Sequence, residues 1–148
     1  MEHLDPPDVV TWDERRLWFE ELEERHARSG ASRHLSEQAC ALMLDLQAVF
    51  CAGAWATVII LAAAIVETQA DRSKLYRTAS ARDLQWLRGL RNNLLHENQG
   101  EPVLTIEDQW VQRPQWEKHA RRAIKLVFQA IYPESSQEED EEISAEKE

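Results

Sequence analysis

Arg91-Asn92-Asn93-Leu94-Leu95-His96 is the one stretch of this 148-residue chain where an arginine, a histidine and amides cluster beside an apolar run. Arginine carries a permanent charge on a planar fork of donors that matches phosphate oxygens. Histidine is the side chain best suited to move a proton near neutral pH. Such a set is chemically sufficient to stabilise and cleave a phosphodiester without a metal. The same residues also fit a solvated helix end, because cations favour a helix C-terminus through the macrodipole. A short Arg-x4-His pattern arises often by chance, so the elements that carry it have to be read with it.

Those elements are helical. Four glycines and five prolines against many Ala, Leu, Glu and Arg predict an all-α protein. A chain of 148 residues buries one core. Residues 1–10 read as an irregular lead, 11–132 as a single up-and-down bundle of about five helices, and 133–148 as a disordered tail. Thr11 with Glu14 resembles a capping box for a helix from about Trp12 to Arg28, with Trp12, Leu17, Trp18, Phe19 and Leu22 as its apolar side. Ser32 or Ser36 starts a second helix running to about Ala52, and Gly53 separates it from a third, fully buried one over about 54–70. The fourth runs from after Ser80 to near Glu97, with Leu84, Leu87, Leu90 or Arg91, and Leu94 on its core face. Residues 103–106 read as a short extended piece. Pro114 opens the last helix, whose buried face is Trp116, Ala120, Ile124, Val127, Phe128 and Ile131.

The formal charge of −10 is concentrated at one end. Residues 133–148 hold eight acids and one Lys, a net of −7, which leaves −3 for residues 1–132. Such a segment reads as a solubility tail, or as a mimic of nucleic acid over a basic surface. Within the domain, Arg72, Lys74, Arg77, Arg82, Arg88 and Arg91 face only Asp83 as a counter-charge in their segment. Arg113, Lys118, Arg121, Arg122 and Lys125 face only Glu117, whereas the first helix is acidic. If the two basic segments line one groove, a phosphate backbone fits there; otherwise they are solvated faces with intrahelical pairs.

Cys40 and Cys51 both lie in apolar helical sequence and read as buried free thiols of a cytoplasmic protein. His3, His26, His34 and His119 lack ligand spacing with any cysteine or acid, so no metal site or cofactor is expected. Residues 48–66 are nearly all apolar, long enough to span a bilayer, but they are rich in Ala, interrupted by Gly53 and without basic flanks. We read them as two helix pieces rather than a membrane span. The acidic, proline-bearing residues 1–10 do not resemble a signal peptide.

The stretch LQWLRGLRNNLLH over residues 84–96 resembles the signature helix of the HEPN superfamily, an Arg followed after four to six residues by His. Arg91, His96 and the polar Asn92 directly after the Arg occupy those places. Residues 44–67, LDLQAVFCAGAWATVIILAAAIVE, are similar to that family's paired core helices, with a small-residue turn between them and an acid at the end. The resemblance covers roughly residues 35–132. It implies a metal-independent endoribonuclease acting as a toxin or antiviral defence effector, with Arg91, His96 and Asn92 catalytic. It implies a homodimer with a composite site, and an antitoxin or larger complex as a further partner. Glu67 and Arg88 are candidates for supporting Arg91, and Arg72, Lys74, Arg77 and Arg82 for holding RNA. Some toxin members carry a Tyr two residues after the His, which a partner antitoxin modifies; Asn98 stands there. Some HEPN domains are non-catalytic, so a binding or dimerisation module for RNA, a nucleotide or a protein is the alternative. Helix geometry separates Arg91 from His96 by about 140° around the axis, whereas Asn92 and His96 share a face.

Overall fold

A computed structural model of the chain describes residues 2–29, 35–69, 81–97 and 100–132. The described residues are all helix and connecting turns: α1 (Val9–Arg28), α2 (Glu37–Ala52), α3 (Trp55–Gln69), α4 (Ala81–Leu95), a short α5 (Asp108–Val111) and α6 (Arg113–Ile131). The expected segment 133–148, and with it the expected disordered tail, lies outside the described residues.

Helix α3 is the centre. Its mean composition is the most apolar of the six, and Val58, Ile59, Ala62 and Ile65 have no accessible surface at all. It packs most extensively on α6 and is flanked by α2 and α4, with α1 laid over α2 and α6. Thr57, Glu67 and Thr68 nevertheless reach the surface, so α3 is not fully buried as expected. A helix covered by three neighbours keeps one open strip, and the polar residues occupy it.

The reversal between α2 and α3 explains why the long apolar run does not continue. Gly53 has φ +79°, its N–H donates to Phe50 O, and the Ala54 N–H donates to Val49 O. These are the two bonds of a Schellman C-cap. Two further carbonyls at this corner are taken by arginines from distant helices. Arg15 Nη1 donates to Cys51 O at 3.0 Å, and Arg113 Nη2 donates to Gly53 O at 2.7 Å. Both guanidiniums lie over the Trp55 ring, at 4.7 and 5.5 Å from its centroid. One corner thus ties α1, α2, α3 and α6 together. Among the described residues no helix is long and apolar enough to cross a membrane.

Aromatic rings fill the space between α1, α2 and α6. Phe50 meets Trp18 at 5.2 Å, and Phe19 meets Phe128 edge-on at 5.2 Å. All six residues expected on the buried face of the last helix are buried, and Pro114 sits in its first turn. Ser36, one of the two expected starts, caps α2 by accepting from Ala39 N.

Several local expectations are corrected. Helix α1 begins at Val9, so residues 9 and 10 are not part of an irregular lead. Its N-cap is Asp8, which accepts from Thr11 N at 2.7 Å, in place of Thr11. The carboxylate after Pro6 and Pro7 stands where the chain can first turn helical. Trp12 and Leu17 are exposed, because α1 turns only the Trp18, Phe19 and Leu22 side to the core. Cys51 is buried, but Cys40 lies on the outer side of α2 beside the exposed Leu44. Residues 103–106 are not extended: they turn into α5, where Thr105 N donates to Asp108 Oδ2 and Asp108 N donates to Thr105 Oγ1. That reciprocal pair is a capping box.

A Cβ on Gly53 would meet Arg113 Nη2 at 2.9 Å and Arg15 Nη1 at 3.0 Å, in a backbone conformation that L residues avoid. Gly53→Ala is therefore expected to destabilise the fold by about 1–3 kcal/mol in chemical denaturation.

Candidate functional site

Helix α4 lies on α3 through Leu87, which is buried, and through Leu84, Leu90 and Leu94 at its margins. Arg91 follows Leu84 and Leu87 on the same stripe at helical spacing, so its stem runs over core and its head emerges at the rim. Glu67 stands there, two residues before the end of α3. An acid near a helix C-terminus is disfavoured by the macrodipole, and a cationic partner offsets this.

The partner is Arg91. Nη1 donates to Glu67 Oε2 at 2.8 Å and Nη2 to Glu67 Oε1 at 2.7 Å. Nε donates to Asn92 Oδ1 at 2.9 Å. Three of the five guanidinium N–H groups are thereby fixed. The Arg91 side chain is 19% exposed and that of Glu67 37%, so the pair is shielded but open on one side. Arg88 is a looser second cation, with Nε 3.7 Å from Glu67 Oε1 and the side chain 58% exposed. One carboxylate thus faces two guanidiniums, leaving one positive charge at the surface.

His96 stands just beyond the end of α4, exposed, with its N–H donating to Asn92 O at 2.9 Å. Its ring makes no hydrogen bond or ion pair among the described residues. The fold therefore gathers Glu67, Arg88, Arg91 and Asn92 into one contact set and leaves His96 one turn on, at an accessible helix end. Arg82 is exposed on α4. Arg72, Lys74, Arg77 and Asn98 lie outside the described residues.

The second basic segment does not form a uniform cationic face. Arg113 closes the α2 corner, Arg121 pairs with Glu117 while lying 4.6 Å over Trp18, and Arg122 pairs with Asp83 of α4. Lys118 and Lys125 remain exposed. Among the described residues, no group of three or more His, Cys, Asp or Glu is placed to share a metal ion.

No family model, curated protein or solved structure matches this chain. What the site can do rests on its own geometry.

Reading the sequence alone missed His119. It lies 5.7 Å from Trp86 of α4 and 5.6 Å from Trp116, measured between ring centroids. Arg122 covers Trp86 at 3.9 Å. The signal was present as matched three-residue spacings, Asp83 to Trp86 and His119 to Arg122, but only the packing of α4 on α6 pairs them. Burial, and secondarily the Arg122 charge, push the His119 imidazole below its ordinary 6.5.

A depressed histidine resists the proton that the unfolded chain accepts. Its stability contribution is complete above 6.5 and is lost as pH falls through the folded-state value. Lowering pH from about 7.5 to about 5.5 is expected to reduce the thermal midpoint, and His119→Gln to reduce that loss, in pH-dependent melts.

Proposed function

We propose that this chain is a metal-independent endoribonuclease of HEPN type, serving as a toxin or antiviral defence effector. The observation that carries the reading is the two-point grip of Glu67 on Arg91, with Asn92 on the third side, at the helix end that bears His96. A guanidinium held in this way is preorganised, and preorganised charge is what a phosphoryl transition state requires.

In this reading the substrate is single-stranded RNA. The ribose 2′-hydroxyl loses its proton to a base and its oxygen attacks the adjacent phosphorus. The O2′–P bond forms, the P–O5′ bond breaks, and the leaving 5′-oxygen takes up a proton. His96 serves as the base at the 2′-oxygen or the acid at the 5′-oxygen. Arg91 stabilises the phosphoryl oxygens through its remaining N–H groups, Arg88 adds the outer positive charge, and Asn92 holds the phosphate. Glu67 positions Arg91. Arg72, Lys74, Arg77 and Arg82 contact the flanking strand.

Arg91 and His96 diverge by about 140° around α4. One helix does not aim both at one atom, and a homodimer in which each copy supplies part of the site resolves the mismatch. The engagement of Arg91 by Glu67 also favours a second reading, in which the arginine is structural and the chain is a non-catalytic module that binds RNA, a nucleotide or a protein partner.

The test is RNA cleavage in EDTA with matched DNA as control. Wild type is expected to cut RNA alone and leave 2′,3′-cyclic phosphate ends. His96→Ala is expected to lose about 10²- to 10⁴-fold in rate, and Arg91→Ala about 10²- to 10³-fold. Equal cutting by all three proteins would remove this motif as the site. No cutting by wild type would leave the binding module.

A further inference from the structure

The contacts of His119 with Trp86 and of Arg122 with Asp83 show α4 and α6 running antiparallel along one seam. Helical spacing sets Arg82, Trp86, Gly89 and Asn93 in a stripe on α4 that leads toward His96. On α6 the matching stripe is Gln115, Lys118, Arg122 and Lys125. Arg82, Gly89, Asn93, Gln115, Lys118 and Lys125 are exposed, and Trp86 is half-buried against His119 and Arg122 of α6.

Two observations set this seam apart. The first is charge. The acid of each helix is paired with an arginine, Asp83 with Arg122 across the seam and Glu117 with Arg121 beside it. Arg82, Lys118 and Lys125 have no ion pair among the described residues. The second is Gly89. It lies in the middle of α4, where glycine is less favourable than alanine. A Cβ there would meet nothing within 4 Å, so close packing inside the chain does not require it. Its bare backbone lies exposed one helical turn from Trp86.

We propose that the α4–α6 seam is the track along which the RNA strand lies on its way to His96, with Lys118, Lys125 and Arg82 on its phosphates and Gly89 as the point of closest approach. The inference rests on the ribonuclease reading and adds where the substrate binds. A second copy laid on this seam would oppose like charges. An RNA strand brings the complementary charge, and the amides of Asn93 and Gln115 suit its bases and ribose hydroxyls. From Arg82 to His96 the stripe is about 21 Å long, enough for several nucleotides.

The experiment measures binding of a labelled single-stranded RNA to the full chain carrying His96→Ala, in EDTA. Lys118→Glu is expected to weaken binding by about tenfold, whereas Arg25→Glu, the same charge change on α1, stays within about twofold. Gly89→Leu is expected to weaken binding by about fivefold or more through bulk alone, with its melting midpoint no lower than the parent's. Equal losses for Lys118→Glu and Arg25→Glu, or parental binding by Gly89→Leu, would overturn the track. So would a poly-glutamate peptide that displaces the RNA at equal charge. Wild-type cleavage with unaffected seam variants would sink the track and leave the ribonuclease standing. Seam-dependent binding without wild-type cleavage would support the track and sink the ribonuclease. Absence of any RNA binding would overturn both.

Discussion

One carboxylate links the core of this protein to its candidate chemistry. Glu67 stands two residues before the end of the most apolar described helix, close to a C-terminus whose carbonyl dipoles repel it. The Arg91 fork offsets that repulsion with two charge-assisted hydrogen bonds at 2.7 and 2.8 Å. The consequence is geometric. Helix α4 makes its main contact with α3 through a few leucines, and leucine contacts are non-directional. The fork adds direction: it fixes the rotation of α4 and so the side on which Asn92 and His96 emerge. Loss of the fork would leave a shielded guanidinium unpaired and α4 free to settle in another register.

The fork depends in turn on where α3 ends, which is decided at its other terminus. Gly53 reverses the chain, and Arg15 and Arg113 neutralise the carbonyls it leaves, each held over Trp55. Burial pushes the Arg113 guanidinium below its ordinary value, and the Arg15 charge adds to the effect. Two like charges against one helix end are tolerated because the dipole and the aromatic face stabilise both. From that corner α3 runs fifteen residues, so Glu67 reaches the α4 rim in a determined position.

Much of this was legible in the residues. Gly53 and Pro114 placed two helix ends, Ser36 was one of two candidates for a third, and three- and four-residue spacing identified the α6 face. A lone acid near the end of an apolar helix, with Arg88 and Arg91 among the three arginines of the next one, made the Glu67 pairing a candidate. The misses share a cause. Leu17 and Cys40 look like core by residue type, yet exposure depends on which neighbour covers a helix side. Arg113, Arg121 and Arg122 look like a polyanion-binding face in sequence, yet Gly53 O and Trp55 engage the first, Trp18 and Phe50 the second, and Asp83 and Trp86 the third. His119 has only a three-residue spacing to Arg122 as a local sign, because Trp86 joins its surroundings only after α4 meets α6. Residue 8 was passed over because Thr11 and Glu14 imitate a capping box one turn later.

The most direct measurement is a double-mutant cycle of Glu67→Gln and Arg91→Gln, read in unfolding free energy and in RNA cleavage rate. The account predicts a coupling of about 1–2 kcal/mol in stability, with solvent screening on the open side holding it below the buried-pair range. It also predicts that Glu67→Gln slows cleavage in the parent and has no further effect once Arg91 is replaced. Additive stability losses, or parental cleavage by Glu67→Gln, would contradict it.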